Sequence, residues 1–287
     1  MKTTDITIIV HSTDKFSDCW DPFFKLMGSY WPGCRYPILL NTETQSYAHG
    51  GLDIQASRIS SAPGASWPTW SESLLRCLDS VRTDIVLFML DDFFINGPVD
   101  AETLDYCIGM MRDHSYSSIT LTEHGKYRAA VPGPASRLLA IRQDARYRLN
   151  TSPALWRVSA LRRYLKPAEN AWQFEVFGSW RARRTPDTLL LVDPASLKNN
   201  REGVIPYFRA LRNSGIVKGR WQRGIEELFR NHDIQVDFSI RGFHEPLPSV
   251  LNKYYVLRNL TANPRAVIAD WLRDWMVRSG GNRVGSL

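Results

Sequence analysis

Apolar and polar positions alternate along this chain in two rhythms. The runs Ile6-Thr7-Ile8-Ile9-Val10, 36–40 and 53–59 are short and rich in β-branched or bulky residues, which predicts strands. Between and after them, 16–30 and 70–81 carry apolar residues at helical spacing, with Leu74, Leu75 and Leu78 on one face of the second. Strands joined by crossover helices predict an α/β fold with a mainly parallel sheet. Ile85-Val86-Leu87-Phe88-Met89-Leu90 is apolar without interruption, the pattern of a strand covered on both faces.

The second half continues less regularly. Helices are predicted over 101–112, 159–164, 171–183 and 221–231, and strands over 118–121, 137–141, 154–156, 188–192 and 234–238. The polar, Gly- and Arg-containing stretch 199–219 reads as a mobile loop holding a short helix. Pro264 opens a last helical pattern in which Ile268, Trp271, Leu272, Trp275 and Met276 recur among arginines. That face suits packing on the body of the protein, a second subunit or an anionic bilayer. With no repeat or long linker, the expectation is one domain over 1–262 and a C-terminal amphipathic helix and tail over 263–287.

Composition narrows the function classes only a little. At 44% hydrophobic and 23% charged residues the chain is ordinary globular material. A net charge of +7 favours anionic partners such as sugar phosphates or acidic lipids. The basic residues are scattered, without zinc spacing, a Gly-Lys-Ser loop or an RNA-recognition signature, so nucleic acid is not an expected partner. Cys19, Cys34, Cys77 and Cys107 form no CxxC pair and read as free thiols. No apolar stretch approaches the roughly 18 residues of a spanning helix. The expected location is the cytoplasm, with peripheral contact at the inner face of the membrane as an option.

The chemistry is sought where strands end, because open α/β sheets bind ligands beyond the carboxyl ends of their strands. Leu90-Asp91-Asp92-Phe93-Phe94 puts two carboxylates there. Carboxylates at such a position suit a divalent ion that neutralises a departing diphosphate; the plainer alternative is a turn cap beside a solvated acid. His11, Ser12 and Thr13 follow the first strand and Glu43 follows the second, all able to bond a base or ribose, although Ser12 and Thr13 also suit a helix cap. Trp67 and Trp70 are candidates for stacking on a base, or for packing.

The order of strand, helix, strand ending Leu39-Leu40-Asn41-Thr42-Glu43, helix Trp70-Ser71-Glu72-Ser73-Leu74-Leu75 and strand ending Leu90-Asp91-Asp92 resembles the nucleotide-binding half of GT-A glycosyltransferases. Phe93 departs from the DxD form of the family's acidic motif. The resemblance implies a GT-A-like (Rossmann-like) mixed sheet with helices on both faces, about 1–125 forming the nucleotide-binding half and 126–262 the acceptor half. It implies Asp91 at the ribose, Asp92 and His244 as ligands of Mg2+ or Mn2+, and a catalytic base one helix after an acceptor-side strand. In Glu169-Asn170-Ala171-Trp172-Gln173-Phe174-Glu175 that base is Glu175, with Glu169 the lesser candidate. Arg201, Arg220 and Arg223 are candidate diphosphate clamps.

The implied partners are a nucleotide-sugar donor and a glycan or lipid-linked glycan acceptor of bacterial surface-polysaccharide or lipopolysaccharide assembly. A non-catalytic carbohydrate-binding subunit, a nucleotide-sugar hydrolase and a nucleotidyltransferase remain as alternatives. Oligomeric state is not legible.

Overall fold

The computed structural model describes residues 6–60, 67–122, 128–130, 137–197, 203–210 and 214–281, with 128–130 and 273–281 given by their backbone only. In chain order the elements are β1 (Ile6–His11), α1 (Trp20–Tyr30), β2 (Ile38–Asn41), β3 (Ile54–Ala56), α2 (Trp70–Asp79), β4 (Ile85–Leu90), α3 (Ala101–Asp113), β5 (Ser118–Thr120), β6 (Arg128–Ala130), β7 (Leu138–Ile141) and β8 (Ala154–Arg157). They continue with α4 (Val158–Tyr164), α5 (Ala171–Gln173), α6 (Ser179–Ala182), β9 (Leu189–Val192), β10 (Ile216–Val217), β11 (Arg220–Trp221), α7 (Ile225–Arg230), α8 (Ser249–Leu260) and α9 (Pro264–Gly281).

Among the described residues, nine strands form one sheet in the order β3-β2-β1-β4-β8-β5-β9-β7-β6. β3, β2, β1 and β4 run parallel, β8 enters antiparallel between β4 and β5, and β7 and β6 close the far edge antiparallel. This is the expected mixed α/β sheet, with helices on both faces. Strand alternation distributes the core: Ile85, Leu87 and Met89 of β4 join Phe23, Phe24, Leu104 and Cys107 on one face. Val86 and Phe88 join Leu74, Leu78, Leu161 and Tyr164 on the other. The unbroken apolar run of β4 therefore has a physical cause, since both of its sides are dry.

Local signals start the helices. The Thr69 hydroxyl accepts the Glu72 amide at 3.1 Å and opens α2, and the Asp100 carboxylate does the same for α3 through Thr103. Predicted helix 16–30 is observed as a 3-10 segment, Asp14–Cys19, kinked where Phe16 leaves helical geometry, followed by α1. No helix lies within 199–219 among the described residues; the stretch supplies a bridge from Tyr207 to Ile95 and the hairpin β10–β11. α7 starts four residues later than predicted because Trp221 is held in that hairpin and Gly224 takes a left-handed φ of 92°. The predicted strand 234–238 is absent, replaced by turns in which the Gly242 amide bonds the Phe238 carbonyl at 2.8 Å. α8 was not predicted; none of its residues is buried, so it lacks the one-sided burial pattern that marks a core helix.

The four cysteines are free. Among the described residues, no helix is long and apolar enough to cross a membrane.

Candidate functional site

At the carboxyl end of β4, Asp91 is buried and accepts a short hydrogen bond from the Ser12 hydroxyl, which in turn accepts the Trp20 indole N–H at 2.6 Å. Burial pushes the Asp91 carboxyl well above the usual range and neighbouring Asp92 adds to this, while Ser12 and Arg241 pull it back. Asp92 Oδ2 accepts the Ser214 hydroxyl at 2.6 Å, and its Oδ1 is buried without a hydrogen-bond partner among the described residues. Desolvation raises Asp92 from 3.8 to about 6, against the lowering effect of Ser214 and nearby amides.

The segment that brings Ser214 is pinned to the same place. Gly215 donates its amide to the Asp92 carbonyl at 3.1 Å. A Cβ at Gly215 would overlap the Phe94 ring, so only glycine permits this approach.

Glu175 faces Asp92's neighbourhood from the other half of the chain. It sits in a single turn of π-helix, Phe174–Gly178, between α5 and α6, a local irregularity often found at functional positions. Its Oε1 accepts both the amide and the hydroxyl of Thr151, each at 2.8 Å. Burial raises its pKa and the two Thr151 donors lower it again. One cleft of about 880 Å3 is lined by Leu90 and Phe93 on either side of the aspartate pair, and by Ser214, Thr151, Glu175 and His244. Glu175 and Ser214, the hydrogen-bond partner of Asp92, thus line a common cavity.

The remaining predicted residues are distributed as follows. Glu43 is buried, with Oε2 accepting the Asp14 amide, while the Asp14 carboxylate accepts the amides of Glu43 and Thr44. This reciprocal pair joins the loops after β1 and β2. Burial raises the Glu43 pKa; Asp14, although burial opposes it, is held below its ordinary value by the hydrogen bonds from Thr44, Gln45 and Glu43. Thr13 precedes the 3-10 turn without a side-chain cap, its carbonyl accepting the Phe16 amide at 2.9 Å. His244 lines the cleft, half-buried, with a pKa lowered by burial and by Lys218 and Arg220. It joins no group of three metal-ligating side chains among the described residues.

Three expectations are corrected. His11 points to the α2 face, where its Nδ1 accepts the Asn41 amide group at 2.8 Å and its ring packs edge-on against Trp70 at 4.9 Å. Burial lowers it from 6.5 to about 3, so it is a neutral core histidine, not a nucleotide contact. Trp70 packs between His11, Phe88 and Phe174, which removes it from base stacking, whereas Trp67 is exposed near Lys15. Glu169 is fully buried in a bidentate pair with Arg181, both bonds 2.6 Å, and is not available as a base.

Arg223 and Arg220 are exposed, Arg223 paired with Glu245, and Arg201 lies outside the described residues. Thr151 and Ser214 were not singled out from the sequence, since a lone hydroxyl residue in a loop carries no signal until its carboxylate partner is known.

No protein-family model and no curated protein matches this chain. Among solved structures, a fragment of S. aureus TarS, residues 1–349 in complex with UDP-GlcNAc, is similar at 12% identity and a TM-score of 0.46, over 83% of this chain and 69% of that one. An active-site mutant of LgtC is similar at 12% identity and a TM-score of 0.32, over 56% and 59% of the two chains. A nucleotidyl transferase from Methanothermobacter is similar at 12% identity and a TM-score of 0.38, over 71% and 93%.

Proposed function

We propose that this chain is a glycosyltransferase that moves a sugar from a nucleotide-sugar donor to a saccharide or lipid-linked glycan acceptor. The observation that carries this reading is a cleft lined by Glu175 and by Ser214, whose hydroxyl bonds Asp92, with Leu90 and Phe93 flanking the acidic pair at the strand's carboxyl end. About 1–125 bind the donor, with Ser12, Thr13, Glu43 and Asp91 around the nucleoside, and 126–262 present the acceptor.

Glu175 Oε takes the proton of the acceptor hydroxyl as that oxygen bonds the anomeric carbon. The bond from the anomeric carbon to the diphosphate breaks in the same displacement, so the configuration inverts and the nucleoside diphosphate leaves. Thr151 fixes the base, and its two donors occupy one oxygen of the carboxylate. The Oδ1 of Asp92, without a hydrogen-bond partner among the described residues, suits Mg2+ or Mn2+, which commonly bind proteins through one or two carboxylates together with substrate phosphates. Such an ion supplies charge neutralisation at the diphosphate when bound.

The test is release of nucleoside diphosphate from a panel of nucleotide sugars, UDP-GlcNAc included, with Mn2+ and with and without glycan acceptors. Glu175→Gln should lower kcat by about 10²–10⁴-fold while donor binding persists. Asp92→Ala should weaken donor binding in the presence of metal. If no donor binds and both variants behave as the parent, the proposal fails; release of pyrophosphate from a nucleoside triphosphate would instead assign nucleotidyl transfer.

A further inference from the structure

α8 is a twelve-residue helix with no buried residue and no acidic one. Four of its large apolar side chains stand in solvent: Val250 at 73%, Leu251 at 52%, Tyr254 at 63% and Leu257 at 59% exposure. With about 100° between successive residues, Val250, Tyr254 and Leu257 form one ridge, with Leu251 beside it. Arg258 flanks the ridge on the Leu251 side and Lys253 flanks it on the other, both exposed. Asn252, Tyr255 and Val256 turn the opposite way and line the catalytic cleft.

α9 extends the same character. Asp270 faces inward, its Oδ2 accepting the Ala168 amide at 3.0 Å, and Val267 is buried beside it. Ile268 and Leu272 are left exposed, with exposed Arg265 one turn before.

A solvent-exposed ridge of aliphatic and aromatic side chains between two cations, without a carboxylate on its helix, is complementary to an anionic bilayer surface. The apolar groups enter the boundary of the acyl chains, and Lys253 and Arg258 extend their charges to the headgroups. We propose that α8, continued by the exposed side of α9, docks this protein on an anionic lipid surface with the cleft held beside the membrane. The docked helix is also wired to the site: its Asn259 and Leu260 carbonyls accept hydrogen bonds from Asn170 and Gln173, the capping pair of α5, directly before the π-turn that bears Glu175. A membrane so placed supplies an acceptor carried on a lipid directly to the cleft mouth. The docking itself is independent of the reaction proposed above.

The experiment is flotation of the full chain with vesicles of phosphatidylcholine alone or mixed with phosphatidylglycerol. The parent should float with the anionic vesicles, weaken as salt rises, and stay with the soluble fraction when the vesicles are neutral. Lys253→Glu with Arg258→Glu should reduce anionic binding on the order of tenfold or more, as should Leu251→Ser with Leu257→Ser, with unchanged circular dichroism. Equal flotation of parent and variants overturns the proposal. So does an absence of flotation together with self-association that disappears in Leu251→Ser/Leu257→Ser, because a second copy would then cover the ridge.

Discussion

Asp92 carries an electrostatic cost that can be measured apart from any activity. Its carboxyl rises from 3.8 to about 6 in the folded state because it is desolvated. Between those values the native state holds a proton that the unfolded chain has released, so stability falls as pH rises from about 4 to about 6 and stays at the lower level above. At about 1.4 kcal/mol per pH unit the cost is up to about 3 kcal/mol. Asp92→Asn should therefore raise Tm at pH 7.5 in the presence of a chelator, and Mn2+ should raise Tm of the parent but not of the variant. Burial raises the Glu175 carboxyl in the same direction, and as the proposed base it must be ionised to work. The rate should accordingly fall on the acid side, and Thr151→Val, which removes one donor to the carboxylate, should move that acid limb to higher pH with less than a tenfold loss of kcat. At this scale the sequence was uneven. The position of Asp91 and Asp92 at a strand's carboxyl end was legible from the unbroken apolar run before them. His11 was misread because a strand terminus does not reveal which face its last side chain takes; the alternation Thr7, Ile9, His11 puts it against α2.

Elements that contribute geometry without apolar periodicity were the ones hidden from the sequence. β4 and α2 were readable within a residue or two because their patterns are set by burial on defined faces. The hairpin β10–β11 is two residues per strand and was submerged in a polar stretch, yet it delivers Ser214 and Gly215 to Asp92. Gly215→Ala should cost about 1–3 kcal/mol by forcing a side chain into the Phe94 ring. In a fluorescence-monitored urea titration it should lower the midpoint, and it should loosen the Asp92 side of the cleft more than the Glu175 side. The π-turn at Phe174–Gly178 was read as uninterrupted helix, since a single wider turn leaves the sequence pattern unchanged. α8 was missed for the opposite reason to β4: its apolar residues fall on both sides, Val250, Tyr254 and Leu257 toward solvent and Tyr255 and Val256 toward the cleft, so no one-sided stripe appears.

At the scale of the molecule, the α/β class and the mixed sheet were expected, but the depth to which the two halves interpenetrate was not. β8 comes from the second half and lies between β4 and β5, the register pairing Ile85 with Arg157 and Phe88 with Ala154. Residues before and after position 125 are thus joined by one continuous ladder. A fragment of residues 1–125 should be insoluble when expressed alone, because without β8 the strand β4 offers a long apolar edge and β5 loses its partner; recovery of a soluble, cooperatively melting fragment would contradict this. The same placement has a consequence during synthesis. The growing chain completes β1 to β4 early, yet the strand that carries Asp91 and Asp92 at its end keeps an open edge until residue 157 has left the ribosome. Chaperone dependence in the cell should therefore concentrate in that interval, and a pause introduced between the codons for β4 and β8 should lower the soluble yield more than one placed after β9.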